Sequence, residues 1–129
     1  EAGNDIGDSY VEIDLTNQKV WLYKDGKKLA ATECVTGTYG TDRQTPRGVY
    51  SIYYRQSPAV LRGPGYASPV QYWMAFNGGI GLHDANWRST FGGDIYKTNG
   101  SHGCVNLPTE AAKKIYTETY IGYPVVCYN

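Results

Sequence analysis

Two neighbouring stretches decide the fold: Tyr10-Val11-Glu12-Ile13-Asp14-Leu15 and, one short turn later, Lys19-Val20-Trp21-Leu22-Tyr23-Lys24-Asp25-Gly26. Val11, Ile13 and Leu15 alternate with Glu12 and Asp14, which is the two-residue period of a half-buried strand. Asn17-Gln18 makes a turn, Lys19 to Tyr23 alternates again, and Asp25-Gly26 is a strong signal for a tight hairpin. A third strand is predicted from about Leu29 to Thr36, stopping at Gly37. The chain therefore opens as a sheet.

The same reading extends through the rest of the chain. Residues 38–44 form a polar loop, and Thr45-Pro46-Arg47-Gly48 opens a strand over 49–55. The Pro/Gly-rich stretch 56–69 reads as a loop, and its length beyond an ordinary connection marks it as functional. A strand over 70–76 turns at Gly78-Gly79 into a short strand ending near His83. Residues 84–100 read as irregular, with Gly92-Gly93 as a hinge. Pro108 suits the first turn of a helix, and Glu110 places a carboxylate near its positive end. Ala111, Ala112, Ile115 and Tyr116 supply the apolar face, so 108–118 is the one helix expected. Residues 124–128 are the closing strand. Residues 1–8 carry no periodicity and read as a disordered lead-in, which leaves a single mainly-β domain, sandwich or barrel-like, over 9–129.

Composition agrees with this reading. The chain has 129 residues, 41% hydrophobic and 19% charged, with 16 Gly and 13 Tyr. That is enough apolar material for a core, in a single domain, and it argues against disorder. Twelve basic residues balance twelve acidic ones, so no global field is available to hold nucleic acid or an anionic membrane. No stretch reaches the roughly 18–20 apolar residues of a membrane span. The chain starts at Glu1 without Met and reads as a processed or excised piece whose signal peptide or anchor could have been removed. Cys34, Cys104 and Cys127 are an odd number of thiols: one pair plus one free thiol if oxidised, three free if reduced.

The chemistry concentrates in Ser101-His102-Gly103-Cys104-Val105-Asn106, which lies between an irregular loop and the helix. Gly103 permits a sharp turn or close approach to a ligand. The amides of Gly103 and Cys104 are candidates for an oxyanion site. Cys104 is the candidate nucleophile, since a thiolate is the strongest nucleophile in the set and its pKa falls beside an imidazolium or oriented amides. His83 and His102, the two histidines of the chain, are the candidate bases, and spacing alone leaves open which one reaches the sulfur. Buried apolar packing is the ordinary reading of Cys34 and Cys127. A zinc set of His83, Cys104 and His102, completed by Asp84 or water, lacks the usual short ligand pair.

His83, 17 residues, and then Ser-His-Gly-Cys-Val-Asn resembles the signature of the L,D-transpeptidase catalytic domain, the YkuD family. Thr45-Pro46-Arg47-Gly48-Val49-Tyr50, Ile80-Gly81-Leu82-His83, Phe91-Gly92-Gly93 and Gly122-Tyr123-Pro124-Val125-Val126 fit it as well, so the resemblance runs over about residues 9–128. Asn106 departs from the Arg found in many members, and Asp84 from a frequent Gly or Ser. The resemblance implies a transpeptidase acting on peptidoglycan stem peptides without cofactor or metal. Cys104 would attack the carbonyl of the third residue of a tetrapeptide donor and expel D-alanine. The side-chain amine of a second stem would then take the acyl group, giving a 3→3 cross-link. His83 would be the base, the backbone carbonyl of Asp84 its orienting partner, and His102 an assistant, with Ser101 and Gly103 shaping the oxyanion turn. It also implies an extracytoplasmic, cell-wall-associated domain, here read as a monomer with no nucleic-acid or membrane contact of its own. Cys34 and Cys127, on the third and last predicted strands, are candidates for a disulfide between sheet neighbours.

Other readings predict different features. Water as acceptor gives an L,D-carboxypeptidase. A non-catalytic wall-binding module would be expected to lose Cys104 or His83. A sortase would carry an Arg after its Cys, and none follows Cys104. Tyr54, Tyr72, Trp73, Trp87 and Tyr96 lie near the two long loops, with Trp87 the candidate lid residue and core packing the ordinary reading of Tyr72 and Trp73. Arg47, Arg55, Arg62 and Arg88 could each fork a stem carboxylate, but each taken alone reads as solvated surface.

Overall fold

A computed structural model describes residues 7–63 and 65–129; the first six residues of the predicted lead-in lie outside the described residues. The opening hairpins form as the alternation requires: β1 (Tyr10–Asp14), β2 (Lys19–Lys24) and β3 (Lys27–Glu33), with the β2–β3 turn at Asp25 and Gly26, both at positive φ. β4 (Gly48–Ser51), β5 (Tyr54–Gln56), β6 (Ala59–Gly63), β7 (Tyr66–Val70), β8 (Trp73–Asn77) and β9 (Ile80–Asp84) follow. The chain ends with α1 (Ile95–Asn99), β10 (Val105–Leu107), α2 (Thr109–Glu118) and β11 (Pro124–Tyr128).

One sheet has the order β3-β2-β1-β11-β4 and a second the order β10-β9-β8-β5. Val11, Ile13, Val20 and Leu22 of the first share a core with Met74, Phe76, Leu82, Val105 and Leu107 of the second, and with Ala112 and Ile115 of α2. The sheets keep open edges, so the arrangement is sandwich-like rather than a closed barrel. β1 and β11 run parallel at the centre of the first sheet, with Ile13 opposite Cys127.

Several expectations need correction. Glu12 and Asp14 do not face solvent: each is 7% exposed. β1 is an inner strand, and both carboxylates are satisfied locally, Glu12 by the Tyr128 hydroxyl at 2.6 Å and Asp14 by the amides of Thr16 and Asn17. The single strand expected over 49–55 breaks at Ile52 and Tyr53, where the chain crosses between sheets. There the Ile52 amide donates to Tyr123 O and the Tyr53 amide to Ala75 O. The loop expected over 56–69 is a hairpin, β6–β7, whose Pro and Gly residues hid its alternation. Residues 84–100 contain the short helix α1, and α2 starts one residue after Pro108, which is extended at ψ 146°.

Cys34 and Cys127, the pair expected as a disulfide, are not bonded to each other. Cys34 leaves the end of β3 and Cys127 lies on β11, so β2 and β1 intervene. Both nevertheless belong to the same buried core cluster. Both are free, buried thiols, and burial raises each, Cys127 to about 12.

Candidate active site

Cys104 reaches its position through backbone pairing on two sides. Val105 and Asn106 of β10 pair in parallel with Leu82 and His83 of β9, which sets the nucleophile segment beside the strand bearing the histidine. On the other side the chain leaving β3 is stitched to the same segment: Val35 exchanges both backbone bonds with Asn106, and the Ser101 amide donates to Thr36 O. Both partners are sequence-distant, so no local pattern announces the clamp.

The turn itself is built from short hydrogen bonds. Gly103 sits at φ +134°, a region that strains any residue with a Cβ. Ser101 Oγ donates to Cys104 O at 2.5 Å and accepts the Gly103 amide at 3.1 Å. The Gly103 N–H, expected at the oxyanion, is engaged with Ser101 inside the turn. Thr45, a residue whose role the sequence did not disclose, braces the turn from behind. Its buried hydroxyl donates to Gly103 O at 2.6 Å and accepts the Gly37 amide at 2.9 Å.

His83 is 4% exposed and lies between the rings of Trp73 and Trp87, with centroids 6.0 and 5.9 Å away. Its Nδ1 is 2.7 Å from the carbonyl oxygen of Asp84. A carbonyl can only accept, so Nδ1 carries the proton and Nε2 keeps a lone pair. The Asp84 carboxylate is used elsewhere, accepting the amides of Gln71 and Tyr72 at 2.8–3.1 Å. That fixes the strand end carrying the carbonyl. Among the described residues no three of His, Cys, Asp and Glu are grouped to hold a metal ion.

Burial sets the resting charges. It raises the Cys104 thiol above its ordinary value, against the lowering effect of a bond from the Gly81 backbone. It also lowers His83, against the raising effect of the Asp84 carbonyl and carboxylate. Burial thus works against the charged form of each group. Cys104 Sγ has Gly79 O as its hydrogen-bond acceptor at 3.5 Å. Gly81 is required where it stands: a Cβ there would meet Met74 O at 2.3 Å.

These groups open on one cavity of about 520 Å³ whose walls include Cys104, His83, His102, Ser101, Trp73 and Trp87. The β6–β7 hairpin forms one side through Val60, Leu61, Arg62, Tyr66 and Ser68. Tyr66 packs edge-on against the exposed His102 with centroids 5.2 Å apart. Trp73 is thus a cavity wall rather than core, whereas Tyr72 packs against Tyr116 and Tyr96 is buried. Tyr54 lies exposed on β5 outside the cavity lining, and Arg55 is engaged with the ring and carbonyl of Tyr116. Asn106, 2% exposed, keeps an unpartnered Oδ1 in the cavity wall.

A cysteine and a buried histidine lining one cavity are what acyl transfer through a thioester needs. Residues 8–127 match the family of L,D-transpeptidase catalytic domains, YkuD. The chain belongs to this family. Among solved structures it is similar to a cysteine-to-serine mutant of Enterococcus faecium L,D-transpeptidase, with 40% identity and TM-score 0.90 over 95% of this chain and 50% of that one. It is also similar to the catalytic domain of the E. faecium L,D-transpeptidase acylated by ertapenem, at 40% identity and TM-score 0.85, covering 97% of this chain and 100% of that one. An L,D-transpeptidase from Stackebrandtia nassauensis is 32% identical with TM-score 0.79, over 100% of this chain and 58% of that one. The chain thus spans half the length of the first structure and the whole of the isolated catalytic domain. No curated protein matches.

Proposed function

We propose that this domain forms 3→3 peptidoglycan cross-links through a thioester on Cys104. The observation that carries the reading is the Nδ1 bond of His83 to a backbone carbonyl, which leaves Nε2 as a base inside the cavity that holds the thiol. In the first half-reaction Nε2 takes the Sγ proton as sulfur attacks the carbonyl carbon of the third stem residue. The tetrahedral intermediate collapses when His83 returns that proton to the departing nitrogen of D-alanine. In the second, the side-chain amine of another stem attacks the thioester, His83 takes a proton from it, and Cys104 leaves to be reprotonated. Burial works against both charged forms, so in this reading proton transfer accompanies attack rather than preceding it.

Of the two amides expected at the oxyanion, that of Cys104 remains the candidate. Ser101 and Gly103 act by shaping the turn. His102, exposed at the cavity edge beside Tyr66, is placed to contact substrate. The acceptors suited to this chemistry are uncharged stem amines, and the domain works as a monomer outside the cytoplasmic membrane, where peptidoglycan lies. No helix among the described residues is long and apolar enough to cross a membrane.

Incubation with disaccharide-tetrapeptides, followed by mass analysis of the products, tests this. Release of D-alanine with a new 3→3 dimer, both absent for Cys104→Ala, is expected. D-alanine release without dimer would assign the L,D-carboxypeptidase branch. No reaction across several stem types would refute catalysis and favour a wall-binding module.

A further inference from the structure

We propose that Arg88 is the residue that selects the leaving group, binding the C-terminal carboxylate of the amino acid expelled from the donor stem. The inference rests on the transpeptidase reading above and adds a residue to it.

Arg88 follows β9 by four residues, and its amide donates to Ala85 O at 3.2 Å in a turn. Its side chain lines the cavity. Nη1 donates to Asn99 O at 2.9 Å, which fixes the guanidinium from one side. Nε is buried and has no partner. None of the three ion pairs among the described residues involves Arg88, and no Asp or Glu lines the cavity. A desolvated guanidinium nitrogen without an acceptor is costly and uncommon in a folded protein. With Nη1 anchored, Nε and Nη2 form the side-on fork that fits a carboxylate.

The reaction geometry says which carboxylate. His83 must hand its proton to the departing amine, so that nitrogen lies at His83. In a free C-terminal residue the carboxylate carbon is two bonds from the nitrogen, roughly 2.5 Å away by standard bond lengths. The cation that recognises it must therefore stand beside His83. Arg88 shares the cavity wall with His83, and its neighbour Trp87 packs on the imidazole. The other guanidinium of the cavity wall, Arg62, is on the exposed strand β6 of the hairpin. A donor extended by one residue, or ending in an amide, would place a neutral group against Arg88 and leave the guanidinium unpaired.

The test compares a tetrapeptide donor ending in a free carboxylate with the same donor ending in a carboxamide. Turnover is measured with the unmodified domain and Arg88→Gln, and binding by calorimetry in the Cys104→Ala background with and without Arg88→Gln. Arg88 should favour the acid over the amide by roughly 10- to 100-fold in both readouts, as expected for a hydrogen-bonded charge pair. Arg88→Gln should bring that ratio near one, and Arg88→Lys should keep part of it. The ratio is taken within each variant, so partial loss of folded protein cancels. Turnover with an acid preference unchanged in Arg88→Gln would overturn the role of Arg88 and leave the transpeptidase reading standing. An Arg88-dependent binding preference without turnover would do the reverse. Absence of both would overturn both.

Discussion

Thr45→Val removes one hydroxyl and leaves the shape of the side chain nearly intact. Thr45 is 1% exposed, and its Oγ1 serves both the Gly37 amide and the Gly103 carbonyl. Valine strands a buried donor and a buried acceptor at once. Each unsatisfied group costs about 1–3 kcal/mol, so the variant should lose about 2–5 kcal/mol of stability, short of the sum of the maxima because the turn can relax. Relaxation has its own consequence, since Gly103 precedes the nucleophile and a shift there moves Sγ. Misplacement of about 1 Å can cost 10²-fold in rate. Urea unfolding measures the first effect, and the rate of acylation of Cys104 in fully folded protein measures the second. Thr45→Ser keeps the hydroxyl and should retain most of both. If Thr45→Val unfolds within about 0.5 kcal/mol of the parent, or if Thr45→Ser is equally impaired, the hydroxyl does not brace the turn.

Other consequences follow from the same geometry. Gly81→Ala forces a Cβ to within 2.3 Å of Met74 O, so thermal unfolding should show a large loss of stability and acylation should fall with it; a Tm unchanged from the parent would contradict the close approach. Burial lowers His83 below 6.5 and raises Cys104 above 9.0. Acylation kcat/KM should therefore rise with pH through a midpoint below 6.5, as the base loses its proton, and then stay level through neutrality. A rate still climbing tenfold per unit between about pH 7 and 9 would instead mean that a pre-formed thiolate reacts. The same lowered pKa makes the unfolded chain bind more protons, so His83 withdraws stability as pH falls from 6.5 towards its folded value. Asp84→Ala leaves the amides of Gln71 and Tyr72 without their carboxylate and should cost about 3 kcal/mol in denaturant unfolding; no change would show that loop held by something else. Thiol titration of unreduced, denatured protein should find three free cysteines; finding one, with Cys104 identified as the labelled residue by peptide mapping, would establish a Cys34–Cys127 disulfide.

How legible the molecule was depended on how local its determinants are. The hairpin of β2 and β3, the helix after Pro108 and the closing strand follow from alternation, Asp25-Gly26 and the apolar face of Ala112 and Ile115, all short-range signals. The β6–β7 hairpin was hidden because Pro58, Gly63, Gly65 and Pro69 mimic a loop. The carboxylates of β1 misled because alternation reports which face a residue takes, not whether the outer face is covered. Spacing left open which histidine faces Cys104; the family resemblance pointed to His83 and the Asp84 carbonyl, and the structure has His83 Nδ1 at that carbonyl in the cavity that Cys104 lines. Thr45 and Gly81 were not legible, because their roles arise from a contact 58 residues away and from the neighbouring strand β8; nor was the Gly103 amide, whose bond to the Ser101 hydroxyl depends on how the turn folds. Arg88 read alone as surface, and only a buried, unpartnered Nε on a side chain of the cavity wall distinguishes it.

Cys104 as the acylated residue is tested most directly by intact mass spectrometry of the domain mixed rapidly with a tetrapeptide donor, followed by peptide mapping. An adduct of donor minus D-alanine on the peptide containing Cys104, cleaved by hydroxylamine and absent in Cys104→Ala, is the predicted result. D-alanine release without any adduct on that peptide, or an equal rate of release by Cys104→Ala, would contradict it.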